Sequence, residues 1–400
     1  MKKIFQINTV SNTGSTGKIA EGIAGALHHV GWKSYIGYGR KGKNSNFSTE
    51  IPIGRKVDFY LHALGTRFTD RHGFYSVQAT KRFLKQLDEI KPDLIHLHNI
   101  HGYYLNIELL FSFLKTKDVP VVWTLHDCWT YTGHCAYYSA CGCLKWQTHC
   151  ERCPQTANYP KSFVDASSKN YSDKKMLFNG IEKLTIVTPS EWLANEVSQS
   201  FLGDYPRRII NNGIDLDRFK MYPTQIVKER FKLQDRTVIL GVASIWEERK
   251  GIKDFLKLST MVDSRFTIIL VGLNDAQIKQ LPANIIGVKR TESVEELAQL
   301  YTLADFFFNP TYEDNFPTTN IEALACGTPV ITYNTGGSPE TLSRETGWVV
   351  QQGDLNAVLS IVRSSEKIIK PAEDCRKRAK NFYDQSRSTA EYLDLYNSYF

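Results

Sequence analysis

The feature that most constrains this chain is a repeated alternation of short apolar runs with amphipathic stretches of helical period, sustained through nearly all 400 residues. Such alternation predicts βαβ units and parallel sheets. A parallel strand is covered on both faces, so it reads as an apolar run, and the chain must return through a crossover helix before the next strand. In the first half the predicted strands are 2–10 (KKIFQINTV), 93–98, 119–125, 184–188 and 207–210, with helices over 19–30, 75–90 and 191–201. A second series follows, with strands at 237–244, 265–272, 283–288, 304–310, 328–333 and 347–350, then helices over 371–384 and 388–400. Residues 211–236 between the series are polar and begin Asn-Asn-Gly, so they read as a linker. The chain is too long for one ordinary core. The expected fold class is α/β, with two Rossmann-like doubly wound parallel-sheet domains, 1–210 and 237–384, facing a central cleft. Residues 385–400 form a C-terminal helix that can pack back on the first domain, with Tyr392, Tyr396, Tyr399 and Phe400 read as a packing stripe.

Hydrophobic residues make up 42% and charged residues 23%, the balance of a soluble globular protein. No run approaches the roughly 18 uncharged apolar residues of a membrane-spanning helix. The opening MKKIFQINTV reads as a strand and not as a signal peptide, so a cytoplasmic location is expected. The net charge of +7 lies wholly in the first half: residues 1–205 carry 24 Lys and Arg against 17 Asp and Glu, and residues 206–400 carry 25 against 25. A basic half suits an anionic partner. Residues 54–85 mix Arg and Lys with Phe and Tyr, a composition that can lie on an anionic membrane; the alternative is a helix packing its aromatics inward. No recognition motif accompanies the charge, so no nucleic-acid partner is expected.

In doubly wound sheets ligands bind at the carboxyl ends of strands, so the loops there are the places to look. The first is Ser11–Gly17, with Gly14 and Gly17, entering helix one. It fits neither the G-x-G-x-x-G nor the Walker spacing, which argues against dinucleotide binding and a P-loop ATPase. The strongest local signal is the segment 313–330, EDNFPTTNIEALACGTPV. A strand end leads through a polar loop into a short helix whose first turn, at Thr318 and Thr319, can meet a phosphate. Glu322 lies one turn further, and Asp314 precedes it with seven residues between them. Six of the eight cysteines fall between Cys128 and Cys153, with His134 and His149 among them. Cys150-x2-Cys153 has the spacing of a zinc knuckle, and Cys135 with Cys141 or Cys143 would complete four ligands of a structural zinc. Free thiols and disulfides are the alternatives. A loop of this length without a core of its own would need such a staple. Asp215 and Asp217 follow an Asn-Gly turn and read as loop chemistry.

The acidic-x7-acidic element Asp314 to Glu322 resembles that of the retaining GT-B glycosyltransferases of family 4, which usually carry Glu at both ends. Glu313 is the alternative for the first position. The rest agrees in the same order. Gly14–Gly17 resembles the glycine loop of that family's N-terminal domain. His126 resembles its active-site histidine beside the donor sugar. Pro189–Trp192 and Asn211–Asp215 resemble its segments at the end of that domain. Arg249-Lys250-Gly251 resembles its diphosphate-binding lysine loop, with Arg249 standing in for an arginine the family usually places several residues earlier, near Ser244 and Ile245. Gly336–Glu340 resembles the turn after the donor site. A similar Cys-rich insert marks a capsule and exopolysaccharide subset.

The resemblance implies a hexosyltransferase-type enzyme. It would move a sugar from a nucleotide-diphosphate sugar to a glycan or lipid-linked acceptor, with retention and without a catalytic metal, in capsule, exopolysaccharide or lipopolysaccharide assembly. His126, Asp314 and Glu322 are implied as catalytic, and Glu322 also as a ribose contact. Gly14, Gly17, Arg249, Lys250, Thr318 and Thr319 are implied at the donor diphosphate, and Cys135, Cys141, Cys150 and Cys153 are the candidate structural zinc ligands. A location at the inner face of the membrane follows from a lipid-linked acceptor. The alternatives are a GT-B nucleotide-sugar epimerase or hydrolase, and a non-catalytic scaffold in a polysaccharide assembly complex.

Overall fold

A computed structural model describes residues 1–233, 235–364 and 371–400. The chain divides into two compact units, Met1–Asn211 with Ser388–Phe400, and Asn212–Arg387. In the first unit the elements run β1 (Lys3–Val10), α1 (Gly14–His29), β2 (Lys33–Arg40), β3 (Ser48–Pro52), α2 (Lys56–Thr69), α3 (Val77–Ile90), β4 (Leu94–Leu97), α4 (Ile107–Lys115), β5 (Val121–Thr124), α5 (Ser167–Phe178), β6 (Leu184–Thr188), α6 (Glu191–Ser198) and β7 (Arg207–Ile209). The second holds α7 (Gln225–Phe231), β8 (Thr237–Val242), α8 (Ile252–Met261), β9 (Phe266–Val271), α9 (Asp275–Lys279), β10 (Ile285–Val288), α10 (Val294–Leu303), β11 (Phe306–Asn309), α11 (Thr318–Ala325), β12 (Val330–Tyr333), β13 (Gly347–Val350), α12 (Leu355–Arg363) and α13 (Ala372–Phe382). The last helix, α14 (Gln385–Asn397), leaves the second unit at Arg387 and continues into the first.

The first sheet has the order β3-β2-β1-β4-β5-β6-β7 and the second β10-β9-β8-β11-β12-β13, with every pairing parallel. Each order reverses direction once, between β1 and β4 and between β8 and β11. At such a switch point the two flanking crossovers leave on opposite faces, which opens a crevice beyond the strand ends. Strands β2 and β3 have no counterpart in the sequence reading. KSYIGYGR and STEIP carry glycine, serine and charge in place of an apolar run, which suits the outer part of a sheet, where β3 is the edge.

The central strands are buried on both faces. Phe5, Ile7, Leu97 and Trp123 pack with α3 and α4 on one side, and Ile4, Leu94, Val122 and Val187 pack with α1 and α14 on the other. Each large apolar side chain removed from water in this way contributes about 1.5–3 kcal/mol. On the second of these faces the tyrosines of α14 also form hydrogen bonds. Tyr396 Oη lies 2.7 Å from His96 Nδ1 and Tyr392 Oη 3.0 Å from Thr124 Oγ1.

The segment expected as a linker belongs to the second unit. Val227 and Leu233 are buried in its core, and Ile214 exchanges backbone hydrogen bonds with Tyr383 and Gln385. Isolated apolar residues within a polar stretch supply these anchors, and periodicity does not register them. Among the described residues no helix is long and apolar enough to cross a membrane.

Candidate active site

In the second unit the two loops at the switch point dock on each other. The loop after β8 ends in a tight turn at Glu248–Lys250 and Gly251, whose φ is +73°. A Cβ there would lie 2.2 Å from Pro310 O, so only glycine permits the close approach to the loop after β11. Tyr312 N donates to Arg249 O at 2.8 Å, and the Arg249 guanidinium donates to Glu313 O at 2.9 Å. These contacts bring Lys250 Nζ to 2.5 Å from Asp314 Oδ2, with both side chains partly open to solvent. Glu313 is buried. Helix α11 then starts at Thr318 behind Pro317, with no side-chain cap and no acid in its first turn. The positive end of its dipole therefore faces the loop uncompensated by a carboxylate of its own.

Glu322, one turn into α11, accepts a hydrogen bond from Tyr301 Oη at 3.0 Å and another from the Thr318 hydroxyl. Burial pushes its carboxyl up to about 7, and the two donors pull the other way without cancelling that. Beneath it, Asn309 Nδ2 donates to Asn320 Oδ1 at 2.8 Å, and Asn320 Nδ2 donates to Thr341 Oγ1 at 2.9 Å. This buried chain ties the end of β11 to α11 and to the turn at Pro339–Thr341.

In the first unit Asn12 and Gly14 both have positive φ, and α1 begins at Gly14 with no side-chain cap. Gly17 faces Asn12 N and Val10 at 3.2–3.3 Å from where a Cβ would stand, so the helix sits close on the strand end. His98 follows β4 and His126 follows β5. His98 Nδ1 lies 3.2 Å from His126 Nε2, and His98 Nε2 lies 3.0 Å from Gln6 Oε1. Gln6 Nε2 donates to Ala20 O at 2.9 Å, which fixes the amide with its oxygen toward His98. The tautomers follow from this network. His98 donates from Nε2 to Gln6, so its Nδ1 accepts from His126 Nε2–H. Burial holds His126 down to about 4 and His98 well below the ordinary imidazole value, so both rings are neutral at pH 7. Beside them His101 Nε2 meets Asp127 Oδ2 at 2.7 Å. Burial alone would raise Asp127, but His101 and the Trp129 N–H hold its carboxyl below its usual value.

The Cys-rich loop differs from expectation. Far from lacking a core, it contributes the buried Trp129, Tyr131, Tyr138 and Trp146 to the core of the first unit. Polar groups anchor it as well. Asp70 pairs with His134 at 2.5 Å and accepts from Ala166 N, and the buried Lys174 Nζ donates to Trp129 O and Thr132 O. Of the cysteines proposed as one ligand set, Cys135, Cys150 and Cys153 lie within electrostatic reach of one another, and Cys143, the alternative to Cys141, lies by Cys150. Cys135 and Cys153 are hydrogen-bonded to each other, Cys150 Sγ accepts from Gly133 N, and Cys141 is exposed with its thiol on Tyr138 O. Among the described residues no group of three or more His, Cys, Asp or Glu is arranged to hold a metal ion.

Residues 23–218 match the family model described as Glycosyltransferase Family 4, and residues 236–364 match the model described as Glycosyl transferases group 1. The protein is a glycosyltransferase. It is 26% identical to Escherichia coli (strain K12) WcaC, provisionally named a colanic acid biosynthesis glycosyl transferase, over 95% of this chain and 96% of that one. Sucrose-phosphate synthase from Thermosynechococcus elongatus superposes with a TM-score of 0.73 at 18% identity, covering 100% of this chain and 99% of the other. Anabaena Alr3699/HepE, solved in complex with UDP-glucose, gives 0.71 at 15% identity over 100% of both chains. These structural likenesses establish the GT-B fold.

Of the residues singled out in the sequence, Arg249, Lys250, Asp314, Thr318, Thr319 and Glu322 lie in the paired loops and helix start at one switch point of the glycosyltransferase. Gly14, Gly17 and His126 lie at strand ends of the other unit. The reading missed Tyr301, Asn309 and Asn320 below Glu322, and Gln6 and His98 behind His126. Buried polar residues at or near strand ends, such as Gln6 in an apolar strand and His98 in LIHLH, were the available signal.

Proposed function

We propose that the enzyme transfers a sugar, with retention, from a nucleotide-diphosphate sugar to a glycan or lipid-linked acceptor in surface polysaccharide biosynthesis. The observation that carries this reading is the docking of the β8 and β11 loops, which sets Lys250 against Asp314 beside the uncapped start of α11. A leaving nucleotide diphosphate develops negative charge. Lys250, Arg249 and the amides at Thr318 and Thr319 are the groups that would stabilise it, so the reaction needs no divalent cation. Asp314, released from Lys250 when the diphosphate binds, would accept from sugar hydroxyls, and Glu322 would accept from the ribose. In the first unit Gly14 and Gly17 leave the backbone at the end of β1 open to a diphosphate, and His126 is that unit's candidate for a hydrogen bond to a sugar. The UDP-glucose complex of HepE and the name of WcaC support the donor class and the polysaccharide setting. A lipid-linked acceptor would put the enzyme at the inner face of the membrane.

The test is calorimetric titration with UDP-, GDP-, ADP- and dTDP-sugars in the presence of a chelator. Saturable binding of one nucleotide class, lost in Glu322→Ala, is expected. Failure of all four with a folded, monodisperse sample would overturn the reading.

A further inference from the structure

The Cys-rich loop packs unevenly. Residues 128–138 are largely sunk in the core of the first unit, but from 139 to 153 Trp146 alone is buried. The regular structure of this second stretch amounts to two single turns, Ser139–Cys141 and Lys145–Gln147. Ordering a residue's backbone costs about 1–2 kcal/mol, and one tryptophan with two short turns offsets little of that over so long a stretch. Cys143, Cys150 and Cys153 are half-buried along it, and Cys135 is buried just before it.

These four thiols are neighbours in space. Cys135 and Cys153 share a hydrogen bond, Cys150 lies within electrostatic reach of both, and Cys143 lies by Cys150. Backbone amides are aimed at two of the sulfurs. Gly133 N donates to Cys150 Sγ at 3.2 Å, and Gln155 N donates to Cys153 Sγ at 3.4 Å. An amide on sulfur favours the thiolate, which is the form that binds a metal. Gly133 is required for the first of these contacts, since a Cβ there would stand 2.7 Å from Cys150 Cβ and 2.2 Å from Ser167 O. Cations surround the group as well. The ammonium of the buried Lys174 lies within electrostatic reach of Cys150 and Cys135. Lys145 Nζ donates to Glu151 O at 2.9 Å and to Arg152 O at 3.3 Å, which pins the turn from Cys150 to Cys153. Cys141 stands outside the group, exposed, with its thiol donating to Tyr138 O at 3.1 Å. As thiols the four do not converge on a centre, because a protonated sulfur turns to an acceptor, as happens between Cys135 and Cys153.

We propose that Cys135, Cys143, Cys150 and Cys153 form a structural zinc site that staples residues 139–153 to the core of the first unit. Binding releases one proton from each of the four thiols to solvent and leaves Zn²⁺ among four thiolates, whose excess negative charge Lys174 offsets in part. Loss of the protons also removes the hydrogen bond between Cys135 and Cys153, which frees both sulfurs to turn to a common centre. Soft sulfur ligands select zinc over magnesium or calcium. Four of them close the coordination shell, so the ion has no open position and takes no part in sugar transfer. The site is independent of the proposed function. Its test measures metal and thiols in the absence of sugar nucleotide and acceptor, so either reading can fail alone.

The experiment is elemental analysis of the full chain purified without a histidine tag, with thiol titration of the same sample in denaturant and chelator. About one zinc per chain is expected, with all eight cysteines titrating as thiols. Cobalt exchanged for the zinc should show the strong sulfur-to-metal absorption of a tetrahedral thiolate site. Cys143→Ser and Cys153→Ser should each weaken zinc binding at least about a hundredfold, and Cys141→Ser should leave it within about twofold. Should a ligand variant fail to fold, the wild type supplies the second measurement. Stripping its zinc with a chelator should lower Tm and open residues 139–153 to protease, and added zinc should restore both. A metal-free protein with eight free thiols that takes up no added zinc overturns the proposal. So do fewer than eight thiols without metal, which would mean disulfides, and zinc retained undiminished in Cys153→Ser.

Discussion

In the second unit the polar groups at the switch point are charged and held at the surface of their loops. Lys250 and Asp314 pair with part of each side chain still in water, and Glu322 sits poised near neutrality. In the first unit the imidazoles of His126 and His98 are neutral and, with Gln6, form one directed chain of hydrogen bonds beside the His101–Asp127 pair. The difference matches two chemical tasks. A diphosphate brings charge, which exposed opposite charges can meet with little desolvation. Hydroxyl groups of a neutral sugar need oriented donors and acceptors, and burial keeps an imidazole uncharged so that one nitrogen donates while the other accepts. On the proposed reading, Asp314 also holds Lys250 in place until a diphosphate takes over the pairing.

The largest effect expected lies behind the neutral side. Asp70→Ala would strip the buried His134 and the Ala166 amide of their partner and cost about 3–5 kcal/mol. Urea unfolding and protease nicking within residues 128–166 would report it, and an unchanged midpoint would show that the loop does not depend on these buried polar anchors. On the charged side, Lys250→Ala should reduce nucleotide-sugar turnover by roughly 10²–10³ and weaken nucleotide binding with it. On the neutral side, His126→Ala should cost about 10² in turnover while nucleotide affinity stays within about twofold. Equal losses of affinity in both variants would erase the division of labour. His98→Ala should show the same pattern at roughly tenfold, because it removes the group that orients His126 and not the contact itself.

The smallest effect concerns pH. Burial disfavours the Glu322 carboxylate, whereas ribose hydroxyls donate to the ionised form. Donor affinity should therefore rise as pH increases through about 7 and then level off. Glu322→Gln should remove that rise. Tyr301→Phe, which deletes a donor to the carboxylate, should move the midpoint upward. The same shift bears on stability with the opposite sign. A carboxyl raised on folding contributes below its unfolded value near 4.5 and loses that contribution as pH climbs through about 7.

How legible each part was follows from where its information resides. Buried parallel strands announced themselves in both series, but β2 and β3 did not, since outer strands with Gly37, Gly39 and flanking charge lack the apolar run. The core of the Cys-rich loop, built on Trp129, Tyr131 and Trp146, was not legible, since a local pattern does not reveal their burial. The residues of 212–233 that belong to the second core were hidden among polar neighbours.

The sequence by itself determined the alternation of strand and helix, the two-sheet α/β class, and the chemical groups at the strand ends, among them Lys250, Asp314, Glu322 and His126. These are properties of residue type and of short periodicities. Only the tertiary structure decided that β1 lies beside β4 and β8 beside β11, that Gly251 lets one loop close on another, that Gln6 orients His98 behind His126, and that α2 turns its leucines outward. Most of these are contacts between segments far apart in the chain. Its outcome depends on which polar groups find partners when the whole unit packs, as His62 does against Gly73 and Ser76.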